Sequence, residues 1–284
     1  MNGAGTDPPE KTMALERSFL FVPADRPERF AKALATRADR IIIDLEDAVA
    51  PDAKAAARDS LVNWLEGAQA SNVMVRVNAV TTPWHGDDMR AIASLARVVG
   101  LMLPKAESVE AITKTRANLS ANKSLVGLVE TVRGVADLRA VAATPGLSRL
   151  AFGTVDFCLE TGIEGQGPEL DFVRTQLTLE SCLAGLAAPI EGVTVDIKAP
   201  DVLETDIARA RSYGFGGKLC IHPAQVDPIN TGFSPSAQSI DWARRVIEAA
   251  RSGAGAVTVD GKLVDRPIML QAEKILARVT ADAN

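Results

Sequence analysis

The sequence predicts an α/β chain folded as a (β/α)8 TIM barrel with a C-terminal helical extension and lid, and three observations lead there. Eight short apolar runs recur along the chain, each with the length and continuity of a strand buried on both faces. They alternate with longer segments whose apolar residues fall at helical spacing. Successive runs are mostly separated by about 25 to 30 residues, the size of one βα unit of such a barrel. A doubly wound open sheet is the competing arrangement.

Taken in order, SFLFVP is the first strand, stopped at Pro23 and followed by the helical ERFAKALATRA. RIIIDL is the second, and it runs into DLEDAVAPDAKAAAR, where Pro51 suits the first turn of a helix. VMVRVN is the third, with Met74, Arg76 and Asn78 alternating onto one face. VVGLMLP and SLVGLV are the fourth and fifth, separated by the helical AESVEAITKTRANL. RLAFG is the sixth, followed by ELDFVRTQLTLESCLAGLA; GVTVDI is the seventh, followed by VLETDIARARSYG; GKLCIH is the eighth. Beyond it the chain continues through SPSAQSIDWARRVIEAARSGAG, VTVDGKLVD and RPIMLQAEKILARV, more than barrel closure requires. The expected division is a disordered lead at 1–16, the barrel at 17–232, and an extension with a lid segment at 233–284.

At 284 residues, 47% hydrophobic and 24% charged, the chain can bury a full core. A net charge of -5 provides no overall basic field and argues against nucleic acid as the main partner. Cys158, Cys182 and Cys220 are far apart with no CxxC spacing, so neither a disulfide framework nor a zinc knuckle is expected, and a reducing cytoplasm is the simplest location. The first residues lack the apolar core of a signal peptide, and no apolar run reaches the roughly 18 residues of a membrane span.

In a barrel enzyme the chemistry sits at the C-terminal ends of the strands. Two acids arrive there directly, Glu130 after SLVGLV and Asp156 after RLAFG. Magnesium takes oxygen ligands and commonly only one or two protein carboxylates, a count these two acids match; a helix-start acid and a cap are the bland alternatives. Asp44, Glu46 and Asp47 crowd one strand end, which a cation or water chain would relieve. Arg76 lies within an apolar strand, where a guanidinium requires an anion, either a bound carboxylate or an internal acid. Lys54 and Arg58 read as a helix-face pair, and His222 as a structural strand-end residue. No Walker A or GxGxxG segment is present.

The segments RSFLFVPADRPERF, DLEDAVAPDAKAAAR, VRVN, LPK, VETVRG, FGTVDF, VTVDIKAP, GKLCIHPAQV and VDGKLVDRP follow one another in an order that resembles the HpcH/HpaI aldolase and citrate lyase β-subunit superfamily, specifically its CitE-like branch with malyl-CoA and citramalyl-CoA lyases. The resemblance implies Mg2+ on Glu130 and Asp156, and a substrate carboxylate or carbonyl held by Arg76. It implies a coenzyme A thioester along the mouth, touching Phe21, Lys32, Lys54, Val195 and Asp196. It makes Asp265, in GKLVDRP, the catalytic acid/base of a lid that reaches a neighbouring subunit, and so implies an oligomer of identical chains, a trimer or a hexamer, with a homotrimer the expected state. Ala24 and Glu28 depart from the pattern, at positions where many members have glycine and a basic residue.

The expected activity is cleavage or formation of a 3-hydroxyacyl-CoA, such as malyl-CoA or citramalyl-CoA, from an acyl-CoA and a 2-oxo acid. The alternatives are a CoA-independent hydroxy-oxo-acid aldolase, a citrate lyase β subunit acting on an acyl carrier protein thioester, and a non-catalytic barrel.

Overall fold

The computed structural model describes residues 16–251 and 258–282. Eight strands, β1 (Ser18–Pro23), β2 (Arg40–Asp44), β3 (Val73–Arg76), β4 (Val98–Leu103), β5 (Ser124–Val129), β6 (Arg149–Phe152), β7 (Ala187–Glu191) and β8 (Gly217–Cys220), close into a barrel in sequence order. Every neighbouring pair is parallel, and β1 closes on β8 through Ser18–Lys218 and Leu20–Cys220. Parallel strands bury both faces, which is why these segments are continuously apolar rather than alternating.

The two faces form two separate apolar layers. Phe19, Ile42, Met74, Met102, Val126, Leu128, Ala151, Ile190 and Leu219 fill the barrel interior. Leu20, Ile41, Ile43, Val73 and Val75 instead pack outward with helix residues such as Phe30, Leu61 and Ile92. Branched and aromatic side chains at alternate positions thus plug the barrel and leave its C-terminal rim to the polar residues.

The seventh strand differs from the sequence reading. It is AAPIE at Ala187–Glu191, and GVTVDI follows it as a loop in which Val195 and Ile197 are exposed. Two alanines and Pro189 disguise the strand, because proline and alanine are poor strand formers, whereas the β-branched loop mimics one. The loop is held from outside the barrel: Lys218 donates to the Gly192 carbonyl at 2.6 Å, and Thr194 bonds Asp206 at 2.5 Å.

Glu16, the last residue of the predicted lead, belongs to the described structure. Residues 1–15 of the predicted lead lie outside the described residues, but Glu16 pairs with Arg40 at 2.5 Å and its carbonyl accepts from Arg149 at 2.8 Å. Residues 16–233 form one compact unit.

Residues 234–284 belong to a second unit. Its helices Ala237–Arg251 and Arg266–Asp282 bury Ala243, Val246 and Ala272. Between them β9 (Thr258–Val259) and β10 (Lys262–Leu263) pair antiparallel across Asp260 and Gly261, both at positive φ as a tight hairpin turn requires. Among the described residues, no helix is long and apolar enough to cross a membrane.

Candidate active site

A cavity of about 420 Å³ opens at the C-terminal ends of the strands, with Arg76, Asp44, Glu130, Asp156 and Phe21 in its wall. Asp44 and Arg76 are the last residues of β2 and β3 and are partners in register, so both side chains leave the sheet in the same direction. Their pairing is bidentate, Nε to Oδ1 at 2.7 Å and Nη2 to Oδ2 at 2.6 Å. The remaining nitrogen, Nη1, lies 3.1 Å from Glu46 Oε2 and 3.7 Å from Asp47. The guanidinium carbon sits 4.9 Å from the centre of the Phe21 ring. Of the two partners the sequence allows for Arg76, the internal acid is thus present, and the arginine still borders the cavity. Burial pulls its pKa down, but Asp44, Glu46 and Glu130 outweigh that effect, so it stays cationic.

Glu130 directly follows β5 and is 1% exposed. Its Oε1 accepts from the Lys105 backbone N–H at 2.8 Å, while its Oε2 is buried without a hydrogen-bond partner. Burial, reinforced by Glu46 and opposed by Arg76 and Lys105, pushes its pKa up to about 8. Gly153 directly follows β6 beside it, and a Cβ on Gly153 would lie 2.8 Å from Oε2. Asp156 follows three residues later, in the first turn of the helix Thr154–Thr161, half-buried and lining the same cavity. An orphaned carboxylate oxygen, a glycine that leaves room beside it and a second acid on the same wall are the donor set a hard divalent cation takes, with positions left for water and substrate.

Glu46 and Lys105 extend the site. Lys105, two residues beyond β4, reaches Glu46 Oε1 at 3.0 Å and adopts the left-handed conformation, φ 50°. Burial raises the pKa of Glu46, with Arg76 pulling against it. The three acids Asp44, Glu46 and Asp47 therefore meet Arg76 and Lys105 on one side of the rim. Asp44 additionally caps the turn after β2 by accepting from Glu46 and Ala48 N–H.

The expected coenzyme positions divide. Phe21 lines both the site cavity and an adjoining one of about 470 Å³, where Arg29, Lys32 and His222 also lie. Val195 and Asp196 are exposed on the loop after β7. Lys54 requires a correction: it is 5% exposed, donates to the Leu45 and Glu46 carbonyls at 2.9 Å each, and stands 5.0 Å over the Trp84 ring. A lysine so engaged braces the β2 turn from below and offers no ammonium to a phosphate at the mouth. Its neighbour Arg58 is also buried, bonded to the fully buried Asp88 at 2.8 Å, which in turn accepts from Asn78. The helix-face pair of the sequence reading is an internal brace. His222 caps the turn Pro223–Gln225 through a capping box, the structural role its strand-end position suggested.

Asp265 lies in the C-terminal unit, where its Oδ1 accepts from Ile268 N–H at 3.1 Å and caps the helix Arg266–Asp282. It is exposed.

Comparison with known proteins settles the lineage. The profile of the HpcH/HpaI aldolase/citrate lyase family matches residues 17–223. The chain belongs to this family. Within it, a citrate lyase subunit beta-like protein of Mycobacterium tuberculosis is 36% identical over 92% of this chain and 94% of its own length. A (3S)-malyl-CoA thioesterase of Cereibacter sphaeroides is 36% identical over 94% of this chain and 95% of its own. The crystal structure of CitE from M. tuberculosis in complex with magnesium, acetoacetate and coenzyme A superposes with a TM-score of 0.81 at 34% identity, covering 94% of this chain and 99% of that one. The citrate lyase family thus accounts for the barrel together with the C-terminal helices.

Lys105, just after VVGLMLP, is among the strand-end polar residues that the barrel rule selects, but neither Gly153 nor the bridge that Lys105 makes between Glu46 and Glu130 is marked in the sequence. Both act through close packing and a backbone angle, which leave little trace in residue spacing.

Proposed function

We propose that the protein is a Mg2+-dependent carbon–carbon lyase that interconverts a 3-hydroxyacyl-CoA, such as malyl-CoA or citramalyl-CoA, with an acyl-CoA and a 2-oxo acid. The observation that carries this reading is the buried, unpartnered Oε2 of Glu130 on a cavity wall shared with Asp156 and Arg76. Glu130 and Asp156 would hold the cation, which when bound supplies Lewis-acid polarisation of an oxo acid's oxygens. The magnesium, acetoacetate and coenzyme A named with the CitE structure support the same ligand set here.

The chain's own residues perform the remaining work. Arg76, locked by Asp44 and stacked on Phe21, provides a fixed positive charge beside the cavity, and a preorganised donor of this kind is worth about 10²–10³ in kcat. The thioester is placed along Phe21, Lys32, Val195 and Asp196, with the adjoining cavity receiving part of the coenzyme. Asp265 of a neighbouring copy is assigned the proton transfer at the acyl carbon, taking a proton in condensation and returning it in cleavage. That assignment implies a homo-oligomer, for which a trimer is the proposed state.

The test is turnover of malyl-CoA and citramalyl-CoA with and without Mg2+, following both acyl-CoA and 2-oxo acid. Wild type should release the two products together, and Glu130→Gln should lose both activity and Mg2+ binding by calorimetry while retaining its fold. Cleavage of a CoA-free hydroxy-oxo acid alone would establish the simple aldolase instead. Release of free CoA without C–C cleavage would establish a thioesterase, a second reading favoured by the relative of that name.

A further inference from the structure

Lys105 joins two buried carboxylates that come from different strands. Its Nζ is 3.0 Å from Glu46 Oε1 and 3.8 Å from Glu130 Oε1, and its backbone N–H donates to that same Glu130 oxygen at 2.8 Å. Among the described residues only Lys105 and Asp260 combine a side chain with positive φ. Asp260 belongs to a hairpin turn, where such an angle is routine, whereas Lys105 stands at the rim of the barrel. A non-glycine residue is held in that conformation only where its surroundings over-determine it. Here the unusual backbone turns both the N–H and the ammonium of one residue onto Glu130. The consequence is asymmetric: both contacts converge on Oε1, and Oε2 has none. Glu46 divides its oxygens differently: Oε1 bonds Lys105 at 3.0 Å, and Oε2 faces Arg76 Nη1 at 3.1 Å, so Glu130 alone of the pair keeps an oxygen without a partner.

We propose that the Lys105 ammonium is an internal counter-ion for the Glu46–Glu130 pair that weakens divalent-cation binding at Glu130, making Lys105 a positioning residue that limits how firmly the metal is held. The inference rests on the reading of Glu130 as a metal ligand. Two carboxylates close together in a low-dielectric rim repel unless a cation lies between them; Lys105 is the cation in reach of both, while Arg76 faces only the other oxygen of Glu46. A divalent cation on the same carboxylate then shares it with an ammonium already in contact, and repulsion between the two cations lowers its affinity. An anionic 2-oxo acid arriving at the metal offsets this repulsion, so metal and oxo acid bind most firmly as a unit and the protein alone holds the metal loosely.

The experiment is calorimetric titration of the full chain with Mg2+, without oxo acid, for wild type, Lys105→Met and Lys105→Arg, with thermal unfolding as a check on folding. Losing the ammonium should tighten Mg2+ about tenfold or more, the direction expected when a like charge a few ångströms away is removed, while the arginine variant should stay near wild type. Lys105→Asn, a residue that tolerates the left-handed backbone, provides a second neutral variant in case the methionine does not fold. Neutral variants that bind Mg2+ as wild type does, or more weakly, overturn the counter-ion role. Absence of Mg2+ binding in wild type and in both neutral variants alike overturns the metal reading as well, so the two failures are distinguishable.

Discussion

Gly153 and Glu130 occupy each other's space: a Cβ built on Gly153 would lie 2.4 Å from Glu130 Cβ and 2.8 Å from its Oε2. The Gly153 N–H meanwhile donates to the Val129 carbonyl at 2.8 Å, so the glycine cannot retreat without loosening β5 from β6. Replacing it with alanine forces the buried carboxylate aside. Gly153→Ala is expected to cost about 1–3 kcal/mol of stability, as other overpacked interiors do, and to weaken Mg2+ binding more than it lowers the thermal midpoint. Calorimetry alongside thermal melts separates the two effects; unchanged metal affinity would show that Glu130 is not a ligand.

Lys54 distinguishes a structural role from a coenzyme contact. Its two hydrogen bonds to buried carbonyls leave the β2 turn dependent on it. Lys54→Met should therefore destabilise the protein by about 2–3 kcal/mol, because buried acceptors lose a charged donor. The KM for an acyl-CoA should stay within about twofold among the molecules that remain folded, far below the tenfold that 1.4 kcal/mol of lost coenzyme binding would produce. A large rise in KM with no loss of stability would return Lys54 to the coenzyme.

Asp265 is both a helix cap and the proposed acid/base, and two substitutions separate these roles. Asparagine caps a helix as well as aspartate does, so Asp265→Asn should leave stability within about 0.5 kcal/mol while abolishing turnover. Asp265→Ala should lose turnover and about 1 kcal/mol as well. Near-normal turnover in the asparagine variant would remove Asp265 from the mechanism.

The cysteines carry a pH prediction. Burial pushes the Cys220 thiol up to about 12, and burial also raises Cys158, whereas Cys182 is exposed. A folded pKa above the unfolded value of about 8.5 means that the native state holds the proton more tightly. Cys220 therefore contributes stability that is intact below about 8.5 and is lost as pH climbs from there toward 12. A thiol-reactive dye at pH 8 should label Cys182 first, Cys158 more slowly and Cys220 only on unfolding. Rapid labelling of all three in the native state would contradict this burial.

Much of the site could be read in the sequence because strand ends are marked locally. Glu130 and Asp156 each follow an apolar run, and the barrel rule directs attention to that rim before any contact is known. Arg76 stands out in the same way, since a guanidinium amid valines and a methionine needs an anion wherever it ends up. Its partner was legible only as a choice between an internal acid and a ligand. The strand register, which sets Asp44 directly beside Arg76, decides that the acid is there. Strand seven shows how local preference misleads: Pro189 and its alanines are carried by pairing with β6 and β8, while the β-branched GVTVDI is released into a loop.

The sequence by itself determined the repeating βα order, the burial of the strands on both faces and the arrival of five acids and an arginine at one rim. These properties follow from apolar periodicity and from what directly succeeds each strand, both of which are local. Only the tertiary structure decided that Lys54 faces inward, that Lys105 turns back onto Glu130, that Gly153 leaves room for a carboxylate, and which oxygens have no partner. Those are facts about the distances between segments remote in sequence, set by barrel closure and strand register, and no spacing within a single segment encodes them.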